Sequence, residues 1–506
     1  MKPYILPVIL FLFFNIPISS QAPDTLWTKV YGGNNAEYAY SIQQTSDDGF
    51  IIVGRTSSFG AGNVDAWLLK TDSMGDTLWT KTFGGNRDDC GRSVQQSLDG
   101  GYIITGWTGT FGLGYYDAWL IKTDPFGDSL WAKLFGGNGS DYGYYVQKTL
   151  VNPGDDGYII GGVTGSSGAG LNDAWLIKTD ILGNTNWIKT YGGSSIEELH
   201  CVEQTYDGGY ISTGWTSSYS PSFEDVYLIR TNASGDSMWT KTYGRDQSDV
   251  GLSVKQTKDQ GYIIVGWTRS FSVSHNDVYL IKTNTDGDTI WTRTYGGVYN
   301  EEGHSVLQTS DGGYIIVGFI QTEPANIDVW LIRTDSFGDT LWTKTIGGSG
   351  EDRGTSIQQT NDNGYIIAGW TSSFGPGYMN IWIIKIALEA TDVSQNDQNP
   401  IPGDFVLDQN YPNPFNPSTT IKYSIPYQSK LILKIYDVLG NEIETLVNEE
   451  KPAGTYEVEF NSHSGLSPWG EIRNLPSSRQ GLTSGVYFYQ LRVGDFVQTK
   501  KMLLLK

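Results

Sequence analysis

Seven carboxylates stand at one fixed place in a recurring phrase. Four residues beyond the second position of each Gly-Gly pair, or of Gly244-Arg245 in its place, come Glu37, Asp89, Asp141, Glu197, Asp249, Glu301 and Asp352. A second column holds Asp65, Asp117, Asp173, Asp225, Asp277 and Asp328, with Asn380 in the seventh copy. Carboxylate oxygens gathered at one rim could bind a hard cation such as calcium. Acids in tight connections also accept backbone N–H bonds within their own loop. Sevenfold recurrence favours this second job, because a ligand site breaks the symmetry of an array and a folding device repeats with it. The expectation is therefore no cofactor, with calcium on the seven rim acids as the metal their chemistry would support.

Other reactive groups are sparse. The chain has four histidines, His200, His275, His304 and His463, and no HExxH, GxSxG or phosphate-loop pattern. His200 and His304 share a column in which other copies carry Tyr40, Arg92, Tyr144 and Leu252. A position that accepts such variety reads as surface or packing rather than as a metal ligand. Paired acids keep glycosidase chemistry open, but near-identical copies argue against an enzyme, since a catalytic pair needs a unique pocket. Cys90 and Cys201 fall in different columns and copies and read as small buried hydrophobes.

The elements that must position these groups follow from the repeat. Trp27, Trp79, Trp131, Trp187, Trp239, Trp291 and Trp342 open the same phrase at intervals of 52, 52, 56, 52, 52 and 51 residues. That period belongs to propellers and solenoids. One copy runs through SVQQS (93–97), a turn at Asp99-Gly100-Gly101, YIITGWT (102–108), DAWLIKTD (117–124), a turn at Phe126-Gly127-Asp128 and SLWAKLFGG (129–137). Four short β-branched and aromatic runs between turn residues predict a four-stranded antiparallel meander, hence seven blades. Both acid columns then fall on one rim. Sixteen of the 17 tryptophans lie in three columns suited to packing between blades, Trp469 excepted. The array begins with a lone fourth strand at 24–31 and its last copy stops after NIWIIKI (380–386), so the first strand is expected to close the last blade.

Composition sets the compartment and excludes some partners. With 34 basic and 55 acidic side chains the formal charge is −21, which repels nucleic acid and anionic membranes. Residues 1–22 read as a signal peptide, apolar from Tyr4 to Ile18 with Ser20 and Ala22 before the cleavage point. No later segment could span a bilayer as a helix.

The unit from Asp65 to Thr108 resembles the bacterial seven-bladed β-propeller repeat family, through its D-A-W start, G-D turn, GG pair and closing G-W-T. The resemblance covers 24–386. The phrase L-x-K-T-D-x-x-G-D-x-x-W is more distantly similar to that of pyrroloquinoline-quinone propellers. The quinoprotein dehydrogenases of that group need a vicinal Cys-Cys pair that this chain lacks.

Beyond Ile386 the composition changes. Residues 387–404 are polar, acidic and broken by proline, the character of a linker. From 405 to 506, alternating runs at 405–426, 431–447, 454–460 and 485–506 predict a small antiparallel sandwich. This segment resembles the C-terminal sorting domain of the type IX secretion system, an immunoglobulin-like fold shared with flagellar hook-capping proteins. The matching residues are Asn410, Tyr411, Pro412, Asn413, Pro414, Phe415, Asn416 and Pro417, then Tyr436-Asp437 to Leu439-Gly440, Ala453 to Tyr456 and Ser484 to Tyr487. Asn461 to Gly481 departs from the pattern and reads as an exposed insertion. The resemblance implies the secretion machinery as partner and the surface or surroundings of a Gram-negative bacterium as destination.

The expected chain is all-β: a seven-bladed β-propeller (23–386) followed by a small Ig-like β-sandwich (405–506). The expected function is a secreted or cell-surface binding or adhesion module for an extracellular glycan or protein. The alternative is an extracellular polysaccharide hydrolase or lyase using the rim acids. The residues after the second-strand glycine, Arg55, Trp107, Val163, Trp215, Trp267, Phe319 and Trp370, discriminate the roles of the aromatics. Exposed, the tryptophans would form a carbohydrate platform; buried, they would be core, which is the expectation here.

Overall fold

The computed structural model describes residues 22–149, 156–220, 222–272, 275–389, 405–427, 429–451, 454–462, 482–494 and 496–505. The leader up to residue 21, the linker over 390–404 and the insertion over 463–481 lie outside the described residues.

Each copy folds as a four-stranded antiparallel sheet paired in chain order, in the second copy Asp89–Gln96, Tyr102–Thr108, Asp117–Thr123 and Ser129–Phe135. Seven such sheets occur among the described residues of the array. The seventh consists of Asp352–Gln359, Tyr365–Thr371, Asn380–Ile386 and the N-terminal Thr25–Tyr31. Thr25 pairs with Ile386 and Tyr31 with Ile381. The two ends of the array therefore share one blade, and the ring presents no unpaired junction.

First strands touch one another in sequence round the ring, Asp352–Gln359 meeting Glu37–Gln44 at the closure. Glutamines stitch them together. Gln96 N–H donates to Gln43 Oε1 (2.6 Å), Lys148 N–H to Gln95 Oε1 (2.9 Å), and Gln44 N–H to Gln358 Oε1 (2.5 Å) across the closure. Farther out, fourth-strand indoles meet the first aromatic of the next blade's second strand edge-on. Trp27 on Phe50, Trp79 on Tyr102 and Trp239 on Tyr262 have centroids 5.8–6.0 Å apart. Third-strand Trp67, Trp119, Trp175 and Trp382 are buried between blades.

On the face away from the acid rim, a buried third-strand cation pairs with the turn aspartate between the first two strands of its own blade. Lys70–Asp47 (3.0 Å), Lys122–Asp99 (2.8 Å), Lys282–Asp259 (2.9 Å) and Lys385–Asp362 (2.8 Å) repeat the arrangement, with arginine at Arg230–Asp207 and Arg333–Asp311. Past Ile386 the chain keeps to the propeller for three residues. Ala387 N–H donates to Asp24 O (2.9 Å), and Glu389 pairs with Arg333 (2.8 Å).

The C-terminal unit is a separate compact body of two sheets. One holds Val406–Leu407, Ser418–Ile425 and Gly454–Asn461; the other holds Glu442–Lys451, Ser429–Tyr436, Gly485–Val493 and Phe496–Leu504. Alternate residues such as Ile421, Tyr423, Leu433, Tyr489 and Leu491 face inward and form its own core.

Candidate functional site

The seven rim acids are buried, at 0–1% exposure. Their oxygens serve their own junctions: Gly33 N–H donates to Glu37 (3.0 Å), Gly85 N–H to Asp89 (2.9 Å), Gly137 N–H to Asp141 (3.0 Å) and Gly193 N–H to Glu197 (2.9 Å). Arg245 N–H donates to Asp249 (3.2 Å), Gly297 N–H to Glu301 (2.9 Å) and Gly348 N–H to Asp352 (2.8 Å). Second-strand hydroxyls add bonds, Thr56 to Glu37 (3.0 Å) and Thr216 to Glu197 (2.8 Å) among them. The second column faces the first across each blade junction, with the first glycine of the pair between them. A Cβ at Gly244 would lie 1.9 Å from Asp225 Oδ1 and 2.5 Å from Asp249 Oδ2, so only glycine fits. No group of three or more His, Cys, Asp or Glu arranged for a metal occurs among the described residues.

Two carboxyls facing each other out of water resist joint ionisation. Asp225 is 4% exposed and its Oδ1 has no hydrogen-bond partner among the described residues. Burial, with the Asp249 carboxylate beside it, pushes its pKa up to about 6. The native state thus holds a proton that the unfolded chain releases near pH 4, and stability falls as pH rises through the window from about 4 to 6. Asp225→Asn is expected to stabilise the propeller by about 1–3 kcal/mol at pH 7.5 and by much less at pH 4.5. Melting curves at the two pH values check this; an equal shift at both refutes it. Asn380 occupies the equivalent place in the seventh blade, so the fold accepts the amide. The opposite ring responds with opposite sign. Burial works against Asp362, but Lys385 and Thr360 outweigh it and hold the carboxyl down at about 2. Stability from that pair is present above the unfolded pKa and is lost as pH falls from about 4 to 2.

A different set of residues surrounds the axis. In every first strand one residue is skipped in the pairing with the second strand: Tyr40, Arg92, Tyr144, His200, Leu252, His304 and Thr355. Each skip is a bulge, a device that re-aims a side chain. It brings a carbonyl against the second-strand glycine, where a Cβ on Gly106 would lie 1.9 Å from Cys90 O and one on Gly214 1.8 Å from Glu198 O. Third-strand indoles hold the same carbonyls, Trp119 Nε1 donating to Cys90 O (3.1 Å) and Trp175 Nε1 to Tyr142 O (3.0 Å).

All seven bulge residues line one cavity of about 680 Å³. Trp215, Trp267 and Trp370 line it too and are half-buried, as is Trp107. This corrects the expectation that these four are core. Trp215, Trp267 and Trp370 pair with Glu198, Val250 and Arg353 on first strands that surround the cavity, whereas Trp107 pairs with Cys90 and packs edge-on against Tyr116 and Tyr142. Phe319 and Val163 of the same column are buried.

His200 and His304 also line the cavity, with side chains 20% and 16% exposed, rather than the outer surface. His200 stacks on Tyr144 with centroids 5.3 Å apart and rings 16° from parallel. Burial, then the positive fields of Arg92 and His304, lower its pKa to about 3, so the imidazole is neutral. Its 3.9 Å approach to Glu198 is consequently no ion pair. His304 Nε2 lies 3.1 Å from Glu302 Oε2, and Asn276 Nδ2 donates to Glu302 Oε1 (2.9 Å). Burial raises the Glu198 pKa, with Arg92 and the Trp215 indole opposing. Glu302 is drawn down, since His304, Asn276 and Arg353 outweigh the desolvation. Sequence reasoning passed over both glutamates. Their signal was broken symmetry: the other copies carry Tyr38, Cys90, Tyr142, Val250 and Arg353 at that place. Cys90 and Cys201 are buried free thiols, and burial pushes the Cys90 pKa up to about 11, far from nucleophilic thiolate.

Residues Asn410 to Pro417 form a surface loop of the sandwich. Asn410 and Phe415 are 2% exposed, whereas Tyr411 is 81% exposed and Pro412, Asn413 and Pro414 are exposed with it. Asn410 N–H donates to Tyr489 Oη (2.8 Å), and Phe415 N–H to Leu503 O (2.9 Å). Asn416 and Pro417 lead, exposed, into Ser418–Ile425.

No protein-family model matches the chain. A 136-residue stretch is 26% identical to the regulatory protein FlaEY of Caulobacter vibrioides, a match that takes in 23% of this chain and 14% of that protein. Among solved structures, puromycin hydrolase aligns with a TM-score of 0.43 at 9% identity, over 76% of this chain and 58% of its own. A neuraminidase-like protein of A/flat-faced bat/Peru aligns with a TM-score of 0.34 at 11% identity, over 72% and 95%. The propeller assignment itself rests on the sheet order and ring closure of this chain.

Proposed function

We propose that the propeller is an extracellular binding module whose ligand is a glycan seated in the central cavity, and that the C-terminal sandwich directs its export through a type IX secretion system. The observation that carries the binding reading is the half-buried Trp215, Trp267 and Trp370 around the 680 Å³ cavity, interleaved with Tyr40, Tyr144, His200 and Glu198. Flat apolar faces beside a few fixed polar groups suit the C–H faces and hydroxyls of sugar rings. The export reading is supported by the resemblance over Asn410 to Pro417 and by the exposure of Tyr411 to Pro414 between two buried anchors.

Trp267→Ala in the full chain is expected to weaken glycan binding by about 2 kcal/mol, roughly thirtyfold, and to lower melting less than loss of a fully buried indole would, because Trp267 is half-buried. A glycan array followed by calorimetry measures both. Wild-type affinity in Trp267→Ala and in Trp215→Ala refutes the cavity as the site.

A second reading, hydrolysis or elimination of polysaccharide, gains one observation. Glu198 and Glu302 line the same cavity with pKa values displaced in opposite directions, the pattern of an acid and a base. Product release from a bound glycan that stops in Glu198→Gln would establish it.

A further inference from the structure

We infer that Arg92 is an anion anchor, so that the glycan of the central cavity carries an oxyanion, either a uronate carboxylate or a sulfate ester. The inference rests on the cavity being the binding site. Its basis is the way the chain treats this guanidinium. Its carbon lies 4.1 Å from the Tyr40 ring centroid and 5.3 Å from that of Tyr144, and the bulge of the second blade places it on the cavity wall. Aromatic stacking occupies the faces of a guanidinium and leaves its five N–H donors in the plane. Among the described residues no acceptor bonds those donors and no carboxylate pairs with them.

The other charged groups of the cavity are engaged. Lys255 pairs with Glu203 (3.5 Å). Glu302 is held by His304 and Asn276. Burial raises the Glu198 pKa against the opposing field of Arg92 and the Trp215 indole, and among the described residues its carboxyl makes no ion pair with Arg92. Thr355 Oγ1 is within 3.0 Å of both Ala39 O and Ala368 O. Arg92 is thus a half-buried cation with unbonded donors in a cavity whose acids have other work. An oxyanion that enters the cavity and presents two oxygens to this fork gains two parallel, charge-assisted N–H bonds. Neutral His200, stacked on Tyr144 beside it, can meet a sugar hydroxyl without competing for the anion. The chain's charge of −21 opposes an anionic ligand at long range, but exposed charges are screened beyond about 8–10 Å in physiological salt. Recognition therefore falls to the local contact.

The test is calorimetry on the full chain with four probes of matched length: an oligo-uronate, a sulfated galactan oligosaccharide, a neutral cello-oligosaccharide and oligo-glutamate. One of the two acidic saccharides is expected to bind roughly ten- to a hundredfold more tightly than the neutral one, and which of them does so identifies the oxyanion. Arg92→Gln should abolish that preference, bringing the acidic saccharide down to the affinity of the neutral one measured on the same variant. Arg92→Lys, which keeps the charge and loses the fork, should recover only part of it. Equal affinity for acidic and neutral saccharides, unaltered in Arg92→Gln, overturns the anchor and leaves the glycan cavity standing. Tighter binding of oligo-glutamate than of any saccharide overturns the ligand class. Absence of saccharide binding altogether overturns both.

Discussion

A chain lacking residues 22–31 is expected to lose the propeller rather than one strand of it. Thr25–Tyr31 supplies the fourth strand of the seventh blade, and its removal strips Asn380–Ile386 of its outer ladder partner. It also breaks the joint with the first blade. Trp27 packs on Phe50 with centroids 6.0 Å apart, Lys29 pairs with Asp76 (2.7 Å), and the Tyr31 hydroxyl donates to Gly75 O. Other blades make an equivalent joint through their own fourth strands, as Tyr191 and Tyr243 do with the carbonyls of Gly235 and Gly287 at 2.6 Å. Trp27 is half-buried, so its own removal costs less than full burial would suggest. Several ladder bonds at about 1 kcal/mol each and the apolar contacts together come to roughly 5–10 kcal/mol, comparable with the whole stability of a domain. The truncated chain should therefore melt far lower or aggregate through its new edge. A synthetic peptide spanning Asp24 to Gly33, added in trans, should restore the melting temperature. An unchanged melting curve without the peptide would show that the ring does not depend on this closure.

Much of the fold could be read because its causes are local and repeat. Turn glycines, β-branched runs and the 52-residue spacing each act over a few residues, and seven copies average out the noise of any one. The lone strand before Gly32 and the missing strand after Ile386 left one arrangement that buries both edges. The rim acids were legible on the same ground: Asp89 and its counterparts repeat because every junction has the same loop amides to bind.

The cavity was not legible, for two physical reasons. A bulge leaves no mark in residue type beyond the glycine opposite it, and strict alternation misplaces every side chain past Arg92 or His200 by one position. Sequence also cannot distinguish a tryptophan with two packed faces from one with a single packed face. Trp119 in the third-strand column and Trp215 after the second-strand glycine both read as packing tryptophans, yet the first is buried between blades and the second borders the cavity. The informative residues proved to be those that broke the repeat, Arg92, Glu198, His200, Glu302 and His304, because a ring of equal blades makes a scaffold and unequal side chains on its axis make a site.

Removing residues 405–506 is expected to leave a folded propeller that stays in the periplasm. The two units have separate cores, and each sheet of the propeller is complete without the sandwich. Melting of the shortened chain should match the propeller transition of the full chain. Its export should fail, because in the reading proposed above the sandwich is the address. The motif loop offers a finer variant. Phe415 lies in the sandwich core, and Phe415→Ala would cost about 3–5 kcal/mol and confuse misfolding with misrouting. Tyr411 is 81% exposed between the anchored Asn410 and Phe415, so Tyr411→Ala should leave the sandwich folded and lower export if that loop is the surface being read. Fractionation into periplasm, outer membrane and medium, with melting of the purified chains alongside, separates the cases. A folded, shortened propeller that reaches the cell surface or medium as efficiently as the full chain would show that the sandwich is not the address. Retention of the shortened chain together with wild-type export of Tyr411→Ala would keep the address in the sandwich and move it off this side chain.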